Sequence, residues 1–233
     1  MAEDEARWMP LESNPEVMNT FIQKLGVSTK WQFMDVYGLD PELLCMIPQP
    51  CCALILLFPI TQNYDSYCKS EAVRLGKDGQ KVSPNVFFMK QTVRNACGTI
   101  GVIHAVANCR SKIEIISESV FSKFLSDAKH MSPSEIGKRL ETDTSIQDAH
   151  KVCAEEGQSE AIAAEENVDL HFVALVHVDG NLYELDGNKP FPINHGVTSD
   201  QTFLEDGARV CREFMSRDEN ELRFTIVALC QAE

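Results

Sequence analysis

Cys97 stands in the run Gln91-Thr92-Val93-Arg94-Asn95-Ala96-Cys97-Gly98-Thr99, and of nine cysteines it is the one whose setting suggests a reactive thiol. Asn95 is a good cap for a helix starting near Cys97. A thiol at that place meets free backbone amides and the positive end of the helix dipole, and both favour the nucleophilic thiolate. Gly98 and Gly101 add little bulk, which leaves room for a substrate backbone. The same window also fits a small buried hydrophobe, the usual fate of a free cysteine. Cys51, Cys52, Cys211 and Cys230 lie on apolar faces, and Cys45, Cys68, Cys109 and Cys153 have no reactive context.

A thiol nucleophile needs a histidine within hydrogen-bond reach. His104 shares the helical face of Cys97 but lies seven residues on, about 10.5 Å along the axis, too far to act directly. His130 and His150 fall in charged helical surroundings and read as surface residues, while His195 follows Pro190 and Pro192 in a loop. His171 and His177 belong to a hairpin whose turn is Asp179-Gly180. With a two-residue turn, Val178 faces Asn181, Val173 opposes Asp186, and His171 lies diagonally across from Asp186 on one face. Diagonal neighbours are about 7 to 8 Å apart at Cα, so an imidazole and a carboxylate leaning together can meet. His177 shares that face but sits beside the turn, nearer Asn181 and Tyr183. A three-residue turn would reverse the parity, and an Asp-His pair taken alone is more often structural than catalytic.

Several elements must hold these groups. Asn14-Pro15 opens a helix with Val17, Met18, Phe21, Ile22 and Leu25 as its apolar stripe and Gly26 as its stop. Strands are expected over 31–36 and 53–58, and a polar stretch over 62–84 precedes the helix from Cys97 to Asn108. Further helices cover 118–128, a segment opening at Ser132-Pro133 with Glu135 as a capping box, and, more weakly, 143–156. A kinase target at Ser132 is the alternative to the cap. Residues 157–167, GQSEAIAAEEN, offer little to bury and should be a mobile surface segment. After the hairpin comes a helix capped by Ser199 or Asp200, and then a closing strand with Leu222, Phe224, Ile226 and Ala228 inward.

The chain has 233 residues with 35 acidic against 21 basic, a net charge of −14. One domain over 1–233 is the natural expectation. The charge disfavours nucleic acid and anionic membranes as partners and suits a basic polypeptide. Nine cysteines without a C-x-x-C spacing suggest neither a disulfide framework nor a metal site. The first residues lack a signal-peptide pattern and the longest apolar run, Cys51 to Ile60, is too short to span a bilayer, so a cytoplasmic location is expected.

Taken together, Gln91 with Asn95-Ala96-Cys97-Gly98-Thr99, Asp169-Leu170-His171-Phe172, Leu185-Asp186-Gly187 and Lys189-Pro190-Phe191-Pro192 closely resemble the ubiquitin carboxyl-terminal hydrolases, in particular the short isozymes. Trp8 to Glu16 and Glu221 to Phe224 fit as well, so the resemblance spans essentially the whole chain. It implies a papain-like α+β fold in a single domain, with a central, mainly antiparallel β-sheet between two helical lobes and a knotted backbone. It implies a thiol hydrolase that removes small adducts from the C-terminal glycine of ubiquitin or a close ubiquitin-like modifier. Cys97, His171 and Asp186 would be the catalytic triad, and Gln91 would stabilise the oxyanion. No cofactor is implied, and the expected enzyme is a monomer.

The resemblance also places ubiquitin contacts at Pro10, Leu11, Glu12, Ser13, Asn14 and Pro15. A second set is Ala154, Glu155, Glu156, Gly157, Gln158, Ser159, Glu160 and Ala161, and a third is Glu221, Leu222, Arg223 and Phe224. Residues of about 154–168 would cross over the active site and limit the size of the leaving group. Two rivals stand beside this reading: a cysteine hydrolase for another acyl substrate, and a module that binds ubiquitin without turning it over.

Overall fold

The computed structural model describes residues 7–157 and 169–232. In chain order the elements are α1 (Pro15–Leu25), β1 (Trp31–Asp35), α2 (Pro41–Leu44), β2 (Cys51–Pro59), α3 (Gln62–Asp78), α4 (Cys97–Asn108) and α5 (Val120–Ala128). Then come α6 (Pro133–Glu141), α7 (Thr144–Glu156), β3 (Leu170–Val178), β4 (Asn181–Leu185), β5 (Ile193–Val197), α8 (Phe203–Met215) and β6 (Thr225–Gln231). The strands form one sheet in the order β1-β6-β2-β3-β4-β5, and every neighbouring pair is antiparallel.

The central strands are apolar at nearly every position because both of their faces are covered. Ala53 and Ile55 of β2, with Phe172, Ala174 and Val176 of β3, point into a core closed by α1, α4, α5, α6 and α7. The alternate residues Leu54, Leu56, Val173 and Leu175 point into a second core closed by α2, α3 and α8. The architecture is the expected α+β one, a central antiparallel sheet between two helical lobes. Among the described residues no helix is long and apolar enough to cross a membrane.

Local signals set many of the boundaries. Asn14 accepts from the Glu16 amide at 2.9 Å, and Gly26 ends α1 in the left-handed region at φ 96. Ser132 and Glu135 form both halves of the capping box of α6, and Asp143 accepts from the Ile146 amide to start α7. The hairpin turn takes positive φ at Asp179 and Gly180, 47 and 76, which gives the two-residue connection.

Four expectations are corrected. The polar stretch 62–84 holds α3, started by Thr61 accepting from the Tyr64 amide. Its inward face is Tyr64, Cys68, Glu71 and Leu75, a helical spacing carried by side chains that a hydropathy pattern does not register. The segment after Pro192 is not a loop but the edge strand β5, paired to β4. The closing strand begins only at Thr225, and Leu222 is 87% exposed, because the Glu221 carboxylate accepts from the Leu222 and Arg223 amides and turns the chain before pairing starts. The last helix begins at Phe203, since Ser199 closes a turn over Thr202 instead of capping the helix.

Gly26 generates a test of this packing. A Cβ there would lie 2.2 Å from the Ser119 Cβ, and the backbone is left-handed. Gly26→Ala is expected to cost about 2 kcal/mol or more, read as a fall in the urea midpoint at unchanged m-value; an unaltered midpoint would contradict it.

Candidate active site

Helix α4 is apolar around its circumference, and Gly98 through Ala107 are all buried, so packing fixes its axis from every side. Cys97 is its first residue and only half-buried. The cap position belongs to Ala96, which makes no side-chain capping bond, and Asn95 turns the chain into the helix at φ 62. Asn95 is therefore not the expected cap but a left-handed residue, a conformation that asparagine tolerates better than most. Gly98 also differs from expectation. A Cβ on it would lie 2.9 Å from the Leu11 Cβ and 3.2 Å from the Phe172 ring, so the space beside the helix start is filled by the chain itself.

His171 lies near the start of β3 opposite Phe58 of β2, whose ring meets the imidazole edge-on at 5.9 Å. The β3–β4 register runs from Val178 with Asn181 to Ala174 with Leu185, so the chain leaves β4 with Asp186 on the His171 face. The two side chains meet, with His171 Nε2 2.7 Å from Asp186 Oδ1. This leaves Nδ1 free of the carboxylate, and the Cys97 thiol is near enough to the ring to help raise it. The thiol comes from the lobe of α4, whereas His171 and Asp186 face the lobe of α3 and α8. The three meet at one end of the sheet, between the lobes.

The Asp186 carboxylate is 2% exposed and fully engaged. Besides His171, Oδ1 accepts from the Asn188 amide at 2.8 Å, and Oδ2 accepts from the Tyr64 hydroxyl at 2.9 Å. Burial alone would raise the Asp186 carboxyl, but the His171 charge and the two hydrogen bonds to His171 and Asn188 outweigh it and hold it below its ordinary value. For His171, burial disfavours the charged ring; the charge and hydrogen bond of Asp186, joined by those of Cys97, win and push it up from 6.5 to about 10.

A buried ionic cluster stands behind this pair. Lys189 Nζ lies 2.7 Å from Glu71 on α3 and 2.5 Å from Glu184 on β4, and Glu184 also meets His195 on β5 at 2.8 Å. Burial of Glu184 opposes its charge, yet Lys189 and His195 hold it far below the usual carboxylate range. The cluster ties α3 to the corner after Asp186, since the Lys189 amide also donates to the Asp186 carbonyl at 3.0 Å. His195 thus has an acid partner that its place after two prolines did not reveal. His177 meets Asp200 at 2.7 Å, not Asn181 or Tyr183.

Two other histidines are buried and structural. His104 accepts from the Met89 amide at 3.1 Å, and burial lowers it to about 4. His150 was expected at the surface but is 3% exposed, because it bridges Thr99 Oγ1 at 2.7 Å and the Met9 carbonyl at 2.8 Å. Burial lowers it to about 4 as well.

Gln91 is tied beside Asp186 by its backbone amide, which donates to the Gly187 carbonyl at 2.9 Å. Gly187 must be small here, since a Cβ would lie 3.0 Å from both the Gln91 Cβ and the Gln91 amide nitrogen. The Gln91 Nε2 donates to the Val93 carbonyl at 3.1 Å, leaving its second amide proton for another acceptor.

The three expected docking segments fall unevenly. Leu11 is buried against Gly98, whereas Pro10, Glu12, Ser13, Asn14 and Pro15 keep partial exposure. Ala154 is buried, Glu155 and Glu156 are exposed, and Gly157 packs on Val17. The His150 bridge to Met9 joins these two segments. Gln158, Ser159, Glu160 and Ala161, and with them most of the expected crossing segment, lie outside the described residues. In the third segment Leu222 and Arg223 are exposed and Phe224 is partly buried, while Arg223 pairs with Glu221 at 2.8 Å and with Asp169 at 3.0 Å. Tyr64 and Asn188, which complete the shell of Asp186, were not singled out from sequence; the available signal for Tyr64 was its spacing with Glu71 and Leu75 after Thr61.

The charges of the pair predict a pH dependence. His171 is raised, so its contribution to stability is fully present below 6.5 and is lost as pH climbs toward about 10. Asp186 is lowered, so its contribution is present above 3.8 and is lost in more acidic solution. The stability gap between the parent and Asp186→Asn is expected to be widest between pH 4 and 6.5 and to narrow steadily up to about pH 10. A gap that widens across that alkaline range in chemical denaturation would be incompatible with the pairing.

Comparison with known proteins is consistent in sequence and in fold. The ubiquitin carboxyl-terminal hydrolase isozyme L1 of Homo sapiens and that of Rattus norvegicus are each 48% identical over 223 residues, covering 96% of this chain and 98% of the relative. The crystal structure of the Trichinella spiralis UCH37 catalytic domain bound to ubiquitin vinyl methyl ester superposes with a TM-score of 0.75 at 22% identity, covering 98% of this chain and 97% of that one. A second structure, of Trichinella spiralis UCH37 bound to the same ligand, gives a TM-score of 0.73 at 22% identity, covering 97% and 82%. Residues 8–216 match the family model described as ubiquitin carboxyl-terminal hydrolase, family 1, and the chain belongs to that family.

Proposed function

We propose that this chain is a deubiquitinating thiol hydrolase that cleaves small adducts or short peptides from the C-terminal glycine of ubiquitin, with Cys97 as nucleophile. The observation that carries the assignment is the single imidazole of His171, hydrogen-bonded by Nε2 to a buried carboxylate and raised in part by the nearby half-buried Cys97 thiol. That is the arrangement of an activated nucleophile, its base and the group that orients the base. Family membership and the solved complexes of relatives with a ubiquitin ester support ubiquitin as the acyl donor.

In this mechanism the protonated His171 donates from Nδ1 to the Cys97 thiolate. The thiolate attacks the carbonyl carbon of the terminal glycine; a C–S bond forms and the carbonyl electron pair moves to oxygen. The backbone amide of Cys97 and the remaining Gln91 Nε2 proton receive that oxyanion. Collapse breaks the bond to the leaving amine or thiol, which takes the Nδ1 proton. Neutral His171 then removes a proton from water as the water attacks the thioester, and C–S cleavage returns the thiolate. Asp186 holds the ring in the tautomer that keeps Nδ1 toward sulfur and offsets its charge. No step calls for a metal, and the described residues hold no group of three or more His, Cys, Asp or Glu suited to bind one.

Docking would draw on the three segments around Pro10 to Pro15, Ala154 to Ala161 and Glu221 to Phe224. Glu155 and Glu156 are exposed acids suited to a basic tail. Glu221 is already paired with Arg223, which makes it a poorer candidate for that role.

Cys97→Ser is expected to abolish release of a fluorophore from the ubiquitin C-terminus while retaining ubiquitin binding by calorimetry. Near-parental turnover would sink the assignment, and binding of ubiquitin without turnover by the parent would favour a sequestering module. Gln91→Ala is expected to lower kcat by about 100-fold to 1,000-fold with little change in KM, the usual loss for one oxyanion donor. An effect confined to KM would assign Gln91 to binding instead.

A further inference from the structure

We infer that Tyr64 is a positioning residue for the reaction, acting through Asp186; this rests on the triad reading above. The Asp186 carboxylate is sealed from water and has two oxygens to satisfy. One is held by His171 and the Asn188 amide, and the other accepts from the Tyr64 hydroxyl at 2.9 Å. That hydroxyl is therefore the group that stops the carboxylate from rotating about its Cβ–Cγ bond and shifting the acceptor that His171 needs. A buried oxygen without its donor would also carry a desolvation penalty, and the carboxylate would relieve it by turning.

The hydroxyl is itself held on several sides. Tyr64 is 6% exposed, and its ring packs edge-on against Phe58 at 4.7 Å and lies 6.0 Å from Phe214. Phe58 is also the ring that meets His171, so one aromatic side chain braces both side-chain partners of Asp186. The phenolic hydrogen goes to Asp186, and Cys68 lies one turn along α3 on the same inward face. Burial, reinforced by the Asp186 charge, pushes Tyr64 far above its ordinary value, so it remains a hydrogen donor across the whole working pH range. One further turn on, Glu71 is clamped by Lys189 at 2.7 Å, which fixes α3 against the corner that carries Asp186. A helix otherwise remote from the nucleophile thus supplies a rigidly placed donor to the far side of the triad.

The test is Tyr64→Phe, which deletes one oxygen atom and leaves the ring. Single-turnover release of a fluorophore from the ubiquitin C-terminus is expected to slow about tenfold, with KM for the same substrate within about twofold of the parent. The imidazole N–H resonance of His171 shared with Asp186 is expected to shift in the proton spectrum, a signature that a purely stabilising residue would leave in place. An unchanged rate, a change confined to KM, or a slower rate with an unmoved resonance would each overturn the inference. Asp186→Asn separates the two readings. If it turns over at the parental rate, the triad itself fails; if it is slow while Tyr64→Phe is not, only the role of Tyr64 fails. Should Tyr64→Phe not fold, 3-fluorotyrosine introduced at position 64 keeps both ring and hydroxyl and makes the donor more acidic. A rate and resonance that both move then support the inference, and parental values for both refute it.

Discussion

A carboxylate with no access to water has to be satisfied by the protein around it, and Asp186 is satisfied from three directions at once. His171 from β3, the Asn188 amide from its own turn and the Tyr64 hydroxyl from α3 all donate to it. Each donor rides on a different piece of the fold. The carboxylate keeps its charge only where those pieces meet, and any displacement of one of them leaves a buried oxygen unpaired at substantial cost. The geometry of the site and the packing of the sheet against α3 are in this sense one constraint.

The same logic extends outward through Lys189. Two buried carboxylates, Glu71 and Glu184, share its ammonium, and Glu184 also holds His195. Ion pairs of this depth seldom add much net stability, because desolvation consumes most of the attraction. What they supply is exclusivity of arrangement. An α3 shifted by one turn would leave charges unpaired, so the helix has a single acceptable register against the sheet. The opposite lobe uses a different device. Helix α4 is buried from Gly98 to Ala107, and His150 bridges its Thr99 to the Met9 carbonyl, joining the helix that carries Cys97 to the N-terminal segment and to α7.

The thiol and its histidine thus come from opposite lobes, one fixed by apolar packing and the other by a polar network. In the proposed mechanism, proton transfer between them would depend on how closely the lobes meet at the end of the sheet. The three segments considered for docking reach both sides of that seam: residues 10–15 and 154–157 border the lobe of α4, while 221–224 leads into β6 and is tethered through Arg223 to Asp169 at the head of β3. A partner lying across them would bear directly on the relation between Cys97 and His171.

Much of this arrangement was legible in the chain. Asn14-Pro15 and Gly26 bounded α1, Ser132 with Glu135 opened α6, and Asp179-Gly180 set the hairpin parity that puts His171 on the face of Asp186. Such features are local, with their physics contained in a few consecutive residues. The sequence also carried the family pattern and with it the expected roles of Cys97 and Gln91. Tertiary structure alone decided the rest. Helix α3 was hidden because its inward stripe is Tyr64, Cys68 and Glu71, which become core residues only when Asp186 and Lys189 arrive from about 120 positions away. His150 looked like a surface residue until Thr99 and Met9 supplied its partners, and Leu222 looked like strand until the Glu221 turn excluded it. A polar side chain's burial is fixed by who meets it, and that is settled only when distant parts of the chain pack together.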